Sequence, residues 1–153
     1  MPLAFSSCPA FRISGTLVPI SDKIVTLGVT LDRHLALSHH TSNVCRAAYF
    51  HIRIRALRHI RPSLTEDMAI TVAVSMVHSR LDYANSLVHG HTNVKRLQSA
   101  QNSAARVVLK DNHHFSSGDL LRKLHWLPVQ SRMEFKIACI TYKVLTTGQP
   151  TYT

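Results

Sequence analysis

The sequence predicts a mainly α-helical protein, a five-helix bundle preceded by a small N-terminal β-hairpin. Three observations support this fold class. Apolar residues recur at helical spacing from about residue 38 onward, whereas short runs rich in Val, Ile and Thr alternate with turn residues before it. The composition, 45% apolar with 5 Gly and 6 Pro in 153 residues, is typical of one folded domain. It excludes collagen-like and disordered chains.

Residues 11–35 carry the strand signals, after an irregular leader over residues 1–10. The alternation at 11–13, the turn residues Ser14-Gly15-Thr16 and the β-branched run at 23–32 predict two or three short strands in a hairpin or meander. Gly28 interrupts the last strand, so we expect a bulge or a close backbone approach there.

Residues 36–153 are predicted to form a basic helical domain. We expect helices at about 40–60, from an N-cap at Ser63 or Thr65 to about 90, at 93–110 behind Asn93, at 117–125 and at 129–146. The first has two apolar stripes and should contact two partners. The second, with a single narrow polar stripe at Thr71, Ser75, His78 and Asp82, is expected to be the central, most buried helix. The last residues stop without a closing signal, which predicts truncation at the C-terminus.

The apolar faces of the third and fifth helices are expected to differ in polarity. The third helix has Gln101 in the middle of its apolar face. The fifth has an apolar stripe formed by Met133, Ile137, Ile140 and Val144. Trp126, in the segment before the fifth helix, is interpreted together with Pro128 as structural, a buried ring at a corner between helices.

The net charge is the most informative feature of the composition. The chain has 18 Lys and Arg against 8 Asp and Glu, a formal net charge of +10. Such an excess favours a polyanionic partner, most often a nucleic acid. Helical spacing aligns cations in rows that can follow a phosphate backbone without reading bases. The predicted nucleic-acid-binding residues are Arg46, Arg53, Arg55, Arg58, Arg61, Lys95, Arg106, Lys110, Arg132, Lys136 and Lys143. The alternative is an ordinary solvated surface.

No pattern of catalytic or metal-binding residues emerges. The eight carboxylates are scattered, and the sequence contains neither a phosphate-binding Gly-rich loop nor a nucleophile elbow. The 11 His and 3 Cys lack the spacing of zinc ligands, which disfavours a small metal-dependent nuclease. We therefore expect no catalytic residue, no metal, no cofactor and no small-molecule substrate. Without a secretory signal or a membrane-spanning run, an intracellular protein, nuclear or cytoplasmic, with no membrane partner is expected.

Several local strings, in order, resemble one protein family. They are Leu27-Gly28-Val29-Thr30-Leu31-Asp32, Ile60-Arg61-Pro62, the run SRLDYANSL at 79–87, the run RLQSAQNSAAR at 96–106, and LHWLPV at 124–129 followed by Arg132, Phe135-Lys136 and Tyr142-Lys143. Each string alone is weak. In this order, over residues 11–153, the chain resembles the region after the palm in reverse transcriptases of non-LTR (LINE-type, jockey/CR1-like) retrotransposons.

The resemblance implies a non-catalytic fragment of an RNA-directed DNA polymerase. It would comprise the primer-grip strands, with Leu27, Gly28 and Val29 at the grip, and a thumb that binds template–primer RNA, DNA or RNA–DNA hybrid through the backbone. The palm with its aspartate pair and Mg²⁺, and the fingers, would be separate partners. Because no YADD-like motif occurs here, the chain alone is not expected to be an enzyme. The alternative is a relic, or a helical protein-interaction module without nucleic acid function.

Overall fold

The N-terminal part of the chain folds into two β-hairpins. A computed structural model describes residues 10–19, 21–52, 57–89, 93–111 and 114–148. Strands β1 (Ala10–Ile13) and β2 (Thr16–Pro19) pair antiparallel, as do β3 (Lys23–Thr26) and β4 (Val29–Asp32). The fold is mainly α-helical, which confirms the predicted class. Four strands in two separate hairpins replace the expected two or three, because Ser14-Gly15 closes a turn of its own.

Gly28 lies in the turn between β3 and β4, so its predicted position inside a strand is wrong. Leu27 and Gly28 have φ values of 47° and 74°, the left-handed pair that a two-residue hairpin turn with right-handed twist requires. The expected close approach is present, because a Cβ at Gly28 would lie 3.4 Å from Tyr83 Cε1. The Tyr83 hydroxyl also donates a hydrogen bond to the Leu27 carbonyl, which holds the turn against the helices.

Most of the remainder of the described chain is helical. The α-helices are α1 (Ser38–Phe50), α2 (Leu57–Ile60), α3 (Glu66–Ala73), α4 (Ser79–Asp82), α5 (Val94–Leu109), α6 (Ser117–Lys123) and α7 (Val129–Thr147). A π-helical segment, Val74–His78, joins α3 to α4, and 3₁₀ turns occupy Arg61–Ser63 and Asn85–Val88.

Local chemistry explains where the helices begin and end. Thr65 caps α3 by accepting a hydrogen bond from the Met68 amide, and Ser116 caps α6 through the Asp119 amide. Lys110 ends α5 in a left-handed conformation. Asn93 precedes α5, but its side chain does not cap the helix. The side-chain Nδ2 of Asn93 instead donates to the Ala36 carbonyl and to Ser38 Oγ.

Helix α5 is the central helix of the bundle, and the prediction that the helix beginning at 66 is the most buried is wrong. Six α5 side chains are buried, namely Leu97, Ala100, Gln101, Ala104, Ala105 and Val108. Its three alanines let neighbouring helices approach closely on more than one side. The helix from 66 instead lies at the side of the bundle, where Met68, Val74 and Met76 remain exposed.

Two faces of α5 contact different partners. On one face, the buried Arg61 donates from Nε to the Val108 carbonyl at 2.6 Å, which joins the segment after α2 to the end of α5. On the other face, Gln101 Nε2 donates to the Leu127 carbonyl at 2.9 Å, and the Val129 amide donates to Gln98 Oε1 at 2.8 Å. Helix α7 therefore begins on the side of α5 that carries these glutamines.

The predicted polar stripe of the second helix is partly wrong, because His78 is buried. Its ring lies 4.2 Å from the Trp126 ring in an edge-to-face contact, and Arg132 Nη1 lies 2.8 Å from His78 Nδ1. Arg132 also forms an ion pair with Asp82. Burial, together with the positive charge of Arg132, lowers the pKa of His78 to about 4. Trp126 is part of the core, consistent with its structural interpretation.

The predicted apolar stripe of the last helix is buried only at its start. Met133 is fully buried, but Ile137, Ile140 and Val144 are exposed because α7 extends past the helices that cover its first turns. Within the described ranges, no helix combines the length and apolarity needed to cross a membrane.

Replacing Gln101 with Leu is expected to destabilise the fold. The substitution removes the donor to the Leu127 carbonyl in a fully buried position, so we expect a loss of about 1–3 kcal/mol in the free energy of unfolding, measured by urea titration. Gln130→Leu at the surface of α7 is the matched control and should change stability by less than about 0.5 kcal/mol. Equal effects of the two substitutions would contradict the assignment of Gln101 as an interior link.

The buried His78 makes stability depend on pH. Because its pKa is about 4 in the folded state and near 6.5 when unfolded, the unfolded chain binds more protons between these values. The resulting contribution of His78 to the free energy of unfolding, on the order of 3 kcal/mol, is complete above about pH 6.5. It is lost as the pH falls toward 4. Urea titrations across this range should show a flatter pH dependence for His78→Gln, and an unchanged one for His39→Gln, whose side chain is exposed. A His78→Gln profile as steep as that of the unaltered chain would refute this cause.

Candidate nucleic-acid interface

A groove between α1–α2 and α5 collects most of the predicted cations that the structure describes. At one end, Arg96 Nη1 of α5 donates to Ser42 Oγ of α1 at 2.8 Å. At the other, Arg61 reaches the Val108 carbonyl. Helix α1 therefore contacts the start of α5, and the segment that follows α2 contacts its end. We call the two cavities beside these contacts, taken together, the basic groove.

The end of the basic groove nearer the start of α5 is lined, in the described part of the chain, by no acidic residue. Its cavity, of about 420 Å³, is lined by Ser42, Cys45, Arg46, Tyr49, Arg96 and Ser99. Arg46 is exposed, and its guanidinium makes no hydrogen bond or ion pair to another described residue. Burial raises the pKa of the Cys45 thiol, although the Arg96 charge acts in the opposite direction, so this end presents neutral hydroxyl and thiol groups beside two cations.

The other end of the basic groove carries four cations and one acid. Its cavity, of about 310 Å³, is lined by Arg58, Arg61, Pro62, Arg106, Val107, Lys110 and Asp111. All four of these cations are among the residues predicted from the sequence. The lining has a net formal charge of +3, which is the sign that a phosphate backbone requires.

The four cations do not have equal freedom to bind a ligand. Arg61 is buried and donates from Nη1 to the Leu64 carbonyl in addition to its contact with Val108, so it is a structural clamp. Arg106 forms an ion pair with Asp111 at 2.7 Å. Arg58 and Lys110 are exposed and make no ion pair in the described part of the chain. These two side chains remain available to phosphates.

Both ends of the basic groove use the same face of α5. On a helical wheel, with about 100° between successive residues, the α5 residues that line the groove fall within an arc of about 100°. They are Arg96, Ser99, Arg106, Val107 and Lys110. Gln98 and Gln101 lie outside this arc, on the side that contacts α7. From Arg96 to Val108 the rise is about 18 Å, which corresponds to about five phosphates of one strand along a duplex axis.

Of the remaining predicted residues, those that the structure describes lie outside the basic groove. Lys95 is exposed next to its rim, whereas Arg53 and Arg55 lie outside the described residues. Arg132, Lys136 and Lys143 are on α7, across α5 from the groove. Arg132 is half-buried in its ion pair with Asp82, and Lys136 donates to the Asp82 carbonyl at 3.2 Å.

The residues expected at the primer grip lie on the opposite side of α1. Leu27 is 86% exposed at the hairpin turn, whereas Val29 is buried beneath it. A cavity of about 490 Å³ separates the hairpin from α1 and α4, and its α1 lining is His40, Asn43, Val44 and Ala47. On the helical wheel, these four residues are opposite the α1 residues that line the basic groove. The hairpin and the groove are thus two separate surfaces.

Arg96 lines the groove although the charge rows in the sequence do not predict it as a binding residue. It follows Lys95 directly, so its charge was visible in the sequence. Its importance comes from the contact with Ser42, a residue 54 positions earlier that helical periodicity cannot pair with it. Within the described residues, no group of three or more His, Cys, Asp or Glu side chains is placed to hold a metal ion.

Comparison of the chain with protein-family models, with curated proteins and with solved structures finds no match.

Substitution of the buried Arg61 and of the exposed Arg58 should change the stability of the fold by different amounts. Arg61→Ala removes two hydrogen bonds from a charged, buried donor, so we expect a loss of about 2 kcal/mol in the free energy of unfolding. Arg58→Ala, in the same cavity but exposed, should cost less than about 0.5 kcal/mol. Urea titrations of both variants provide the measurement. A larger cost for Arg58→Ala than for Arg61→Ala would reverse the two assignments.

Proposed function

We propose that this chain binds the phosphate backbone of nucleic acid in the basic groove and that it does so without catalysis. The observation that carries the proposal is the convergence of Arg46, Arg96, Arg58 and Lys110 on one face of the α1–α2 and α5 pair. Among the described residues that line the groove, Asp111 supplies the one carboxylate, and it forms an ion pair with Arg106. A solvated helix surface would normally mix both signs.

The geometry favours recognition of the backbone over recognition of bases. The groove is lined by flexible cations, hydroxyl groups and apolar residues. Tyr49, the one aromatic side chain among its described lining residues, is half-buried and therefore a poor platform for stacking. Cations of this kind neutralise phosphates and release counterions, so affinity should fall steeply with salt. We therefore expect little sequence preference, with RNA, DNA and RNA–DNA hybrids as possible ligands.

The family strings give this binding a biological setting. We propose that the chain is a fragment of a non-LTR retrotransposon reverse transcriptase, corresponding to the primer-grip strands and the thumb. On its own it would lack the aspartate pair and the Mg²⁺ of a palm, with palm and fingers as its partners. Support comes from the ordered strings over residues 11–153 and from the cations in the groove. The alternative is a relic or a protein-interaction module that keeps the fold without binding nucleic acid.

Binding to an RNA–DNA duplex should depend on the two ends of the groove. Fluorescence anisotropy at about 50 and 200 mM salt should show affinity falling by about tenfold or more for the unaltered chain. Arg46→Glu combined with Arg58→Glu should weaken binding at low salt and reduce the salt slope by about two, because one phosphate contact is lost at each end. Both side chains are exposed, so the fold should persist.

The matched control is Arg122→Glu combined with Lys143→Glu, which makes the same change in net charge outside the groove. This variant should retain most of the affinity and the original slope. If both double variants lose affinity equally, binding reflects total charge and the groove assignment is wrong. If the folded, unaltered chain does not bind at low salt, the protein-interaction alternative gains support.

A further inference from the structure

The second half of α7 presents an apolar seam that no other described element covers. Ile137, Ile140 and Val144 are 37%, 52% and 43% exposed, and no residue from 134 to 148 is buried. Such a contiguous apolar surface is typical of an interaction site. The seam is independent of the basic groove, because α7 lies across α5 from it.

The spacing of the seam is that of a coiled coil. Met133, Ile137, Ile140 and Val144 follow one another at intervals of four, three and four residues, which are successive d, a, d and a positions of a heptad. The buried Met133 anchors the seam to the bundle, and the three exposed residues continue it outward. The exposed part of the seam, from Ile137 to Val144, rises about 10 Å along the helix axis, which gives a second amphipathic helix about two turns of contact with α7.

The residues beside the seam carry positive charge on one flank. Lys136 and Lys143 occupy the two g positions, and Glu134 and Thr141 occupy the e positions. Glu134 accepts a hydrogen bond from Gln130 at 2.8 Å, within its own helix. Lys143 is exposed and makes no ion pair to a described residue. Lys136 is half-buried and donates to the Asp82 carbonyl, so Lys143 is the cation that this flank offers to a partner helix.

Pairing of α7 with a second copy of itself would be disfavoured by these charges. An antiparallel pair brings g positions together, so Lys136 of each copy would face Lys143 of the other. In a parallel pair, Lys136 would face the uncharged Thr141. Neither arrangement supplies an acidic residue opposite the lysines, and the chain as a whole carries a net charge of +10.

We propose that the seam of α7 docks an acidic amphipathic helix of another protein. The partner helix would place aliphatic residues at a and d against Ile137, Ile140 and Val144, and a carboxylate opposite Lys143. The aliphatic contacts supply affinity, and the charges select an acidic partner over a basic one and over a second copy.

The probe is a labelled synthetic three-heptad helix with Leu at a and d and Glu at e and g, compared with the same helix carrying Lys at e and g. Anisotropy titrations of the full chain should show about tenfold tighter binding of the Glu helix at low salt, and the preference should shrink as salt screens the charges. Lys143→Glu should weaken binding of the Glu helix by several-fold and strengthen binding of the Lys helix.

Ile140→Asp and Tyr142→Asp form a matched pair for locating the site. Both place a carboxylate on the exposed part of α7, but Tyr142 lies at an f position, outside the seam. Ile140→Asp should reduce binding of the Glu helix by about tenfold or more, and Tyr142→Asp by less than about twofold. Circular dichroism melts of both variants are the control and should show that the fold is retained.

Three results would overturn the proposal. One is equal binding of the Glu and Lys helices. Another is an equal loss of binding in Ile140→Asp and Tyr142→Asp. The third is a dimer of the unaltered chain in sedimentation experiments that Ile140→Asp dissolves, because a second copy would then be the occupant. None of these results bears on the basic groove, which the RNA–DNA titration tests separately.

Discussion

The close packing of α5 on both of its faces is the constraint on which the rest of the structure depends. Small side chains at 100, 104 and 105 allow helices to approach it closely. One face is tied to α1–α2 by Arg61 and Arg96, and the other to α7 by Gln98 and Gln101. These are polar links with defined geometry, so they set direction and register as well as adding stability. The two outer surfaces follow from this arrangement, a basic groove on one side and an apolar seam on the other.

The same charged residue type performs two different tasks at the end of the groove. Arg61 is buried and donates to carbonyls near the ends of two helical segments, whereas Arg58 is exposed to solvent. Arg106 is intermediate, since its ion pair with Asp111 and its contact with Ser117 also hold the chain that leads to α6. A cationic row on a helix is therefore not a uniform binding surface. Part of it builds the groove, and the rest is free to meet a polyanion.

Interior polar groups recur where elements from distant parts of the chain meet. His78 lies between Trp126 and Arg132, and burial keeps its imidazole neutral at ordinary pH. The Asp82 carboxylate forms an ion pair with Arg132, and the Asp82 carbonyl accepts a hydrogen bond from Lys136. Two cations of α7 therefore hold this helix against α4. The hairpin is held in a similar way through Tyr83 and the Leu27 carbonyl. These contacts explain why α7 contributes to the architecture at its start and becomes an exposed surface only beyond it.

Local patterns in the sequence determined the helical class, the N-terminal strands, the cap at Thr65, the burial of Gln101 and the identity of most groove cations. Each of these depends on neighbours within a few residues, or on the periodicity of one helix. Only the tertiary structure decided that α5 is the central helix, that His78 and Arg61 are interior, and that the cations of α7 lie apart from the groove. The reason is physical: a wheel shows which side chains share a face, but the packing of distant elements decides which face is covered. Contacts such as Arg61 with Val108, 47 residues apart, leave no periodic signal in the sequence.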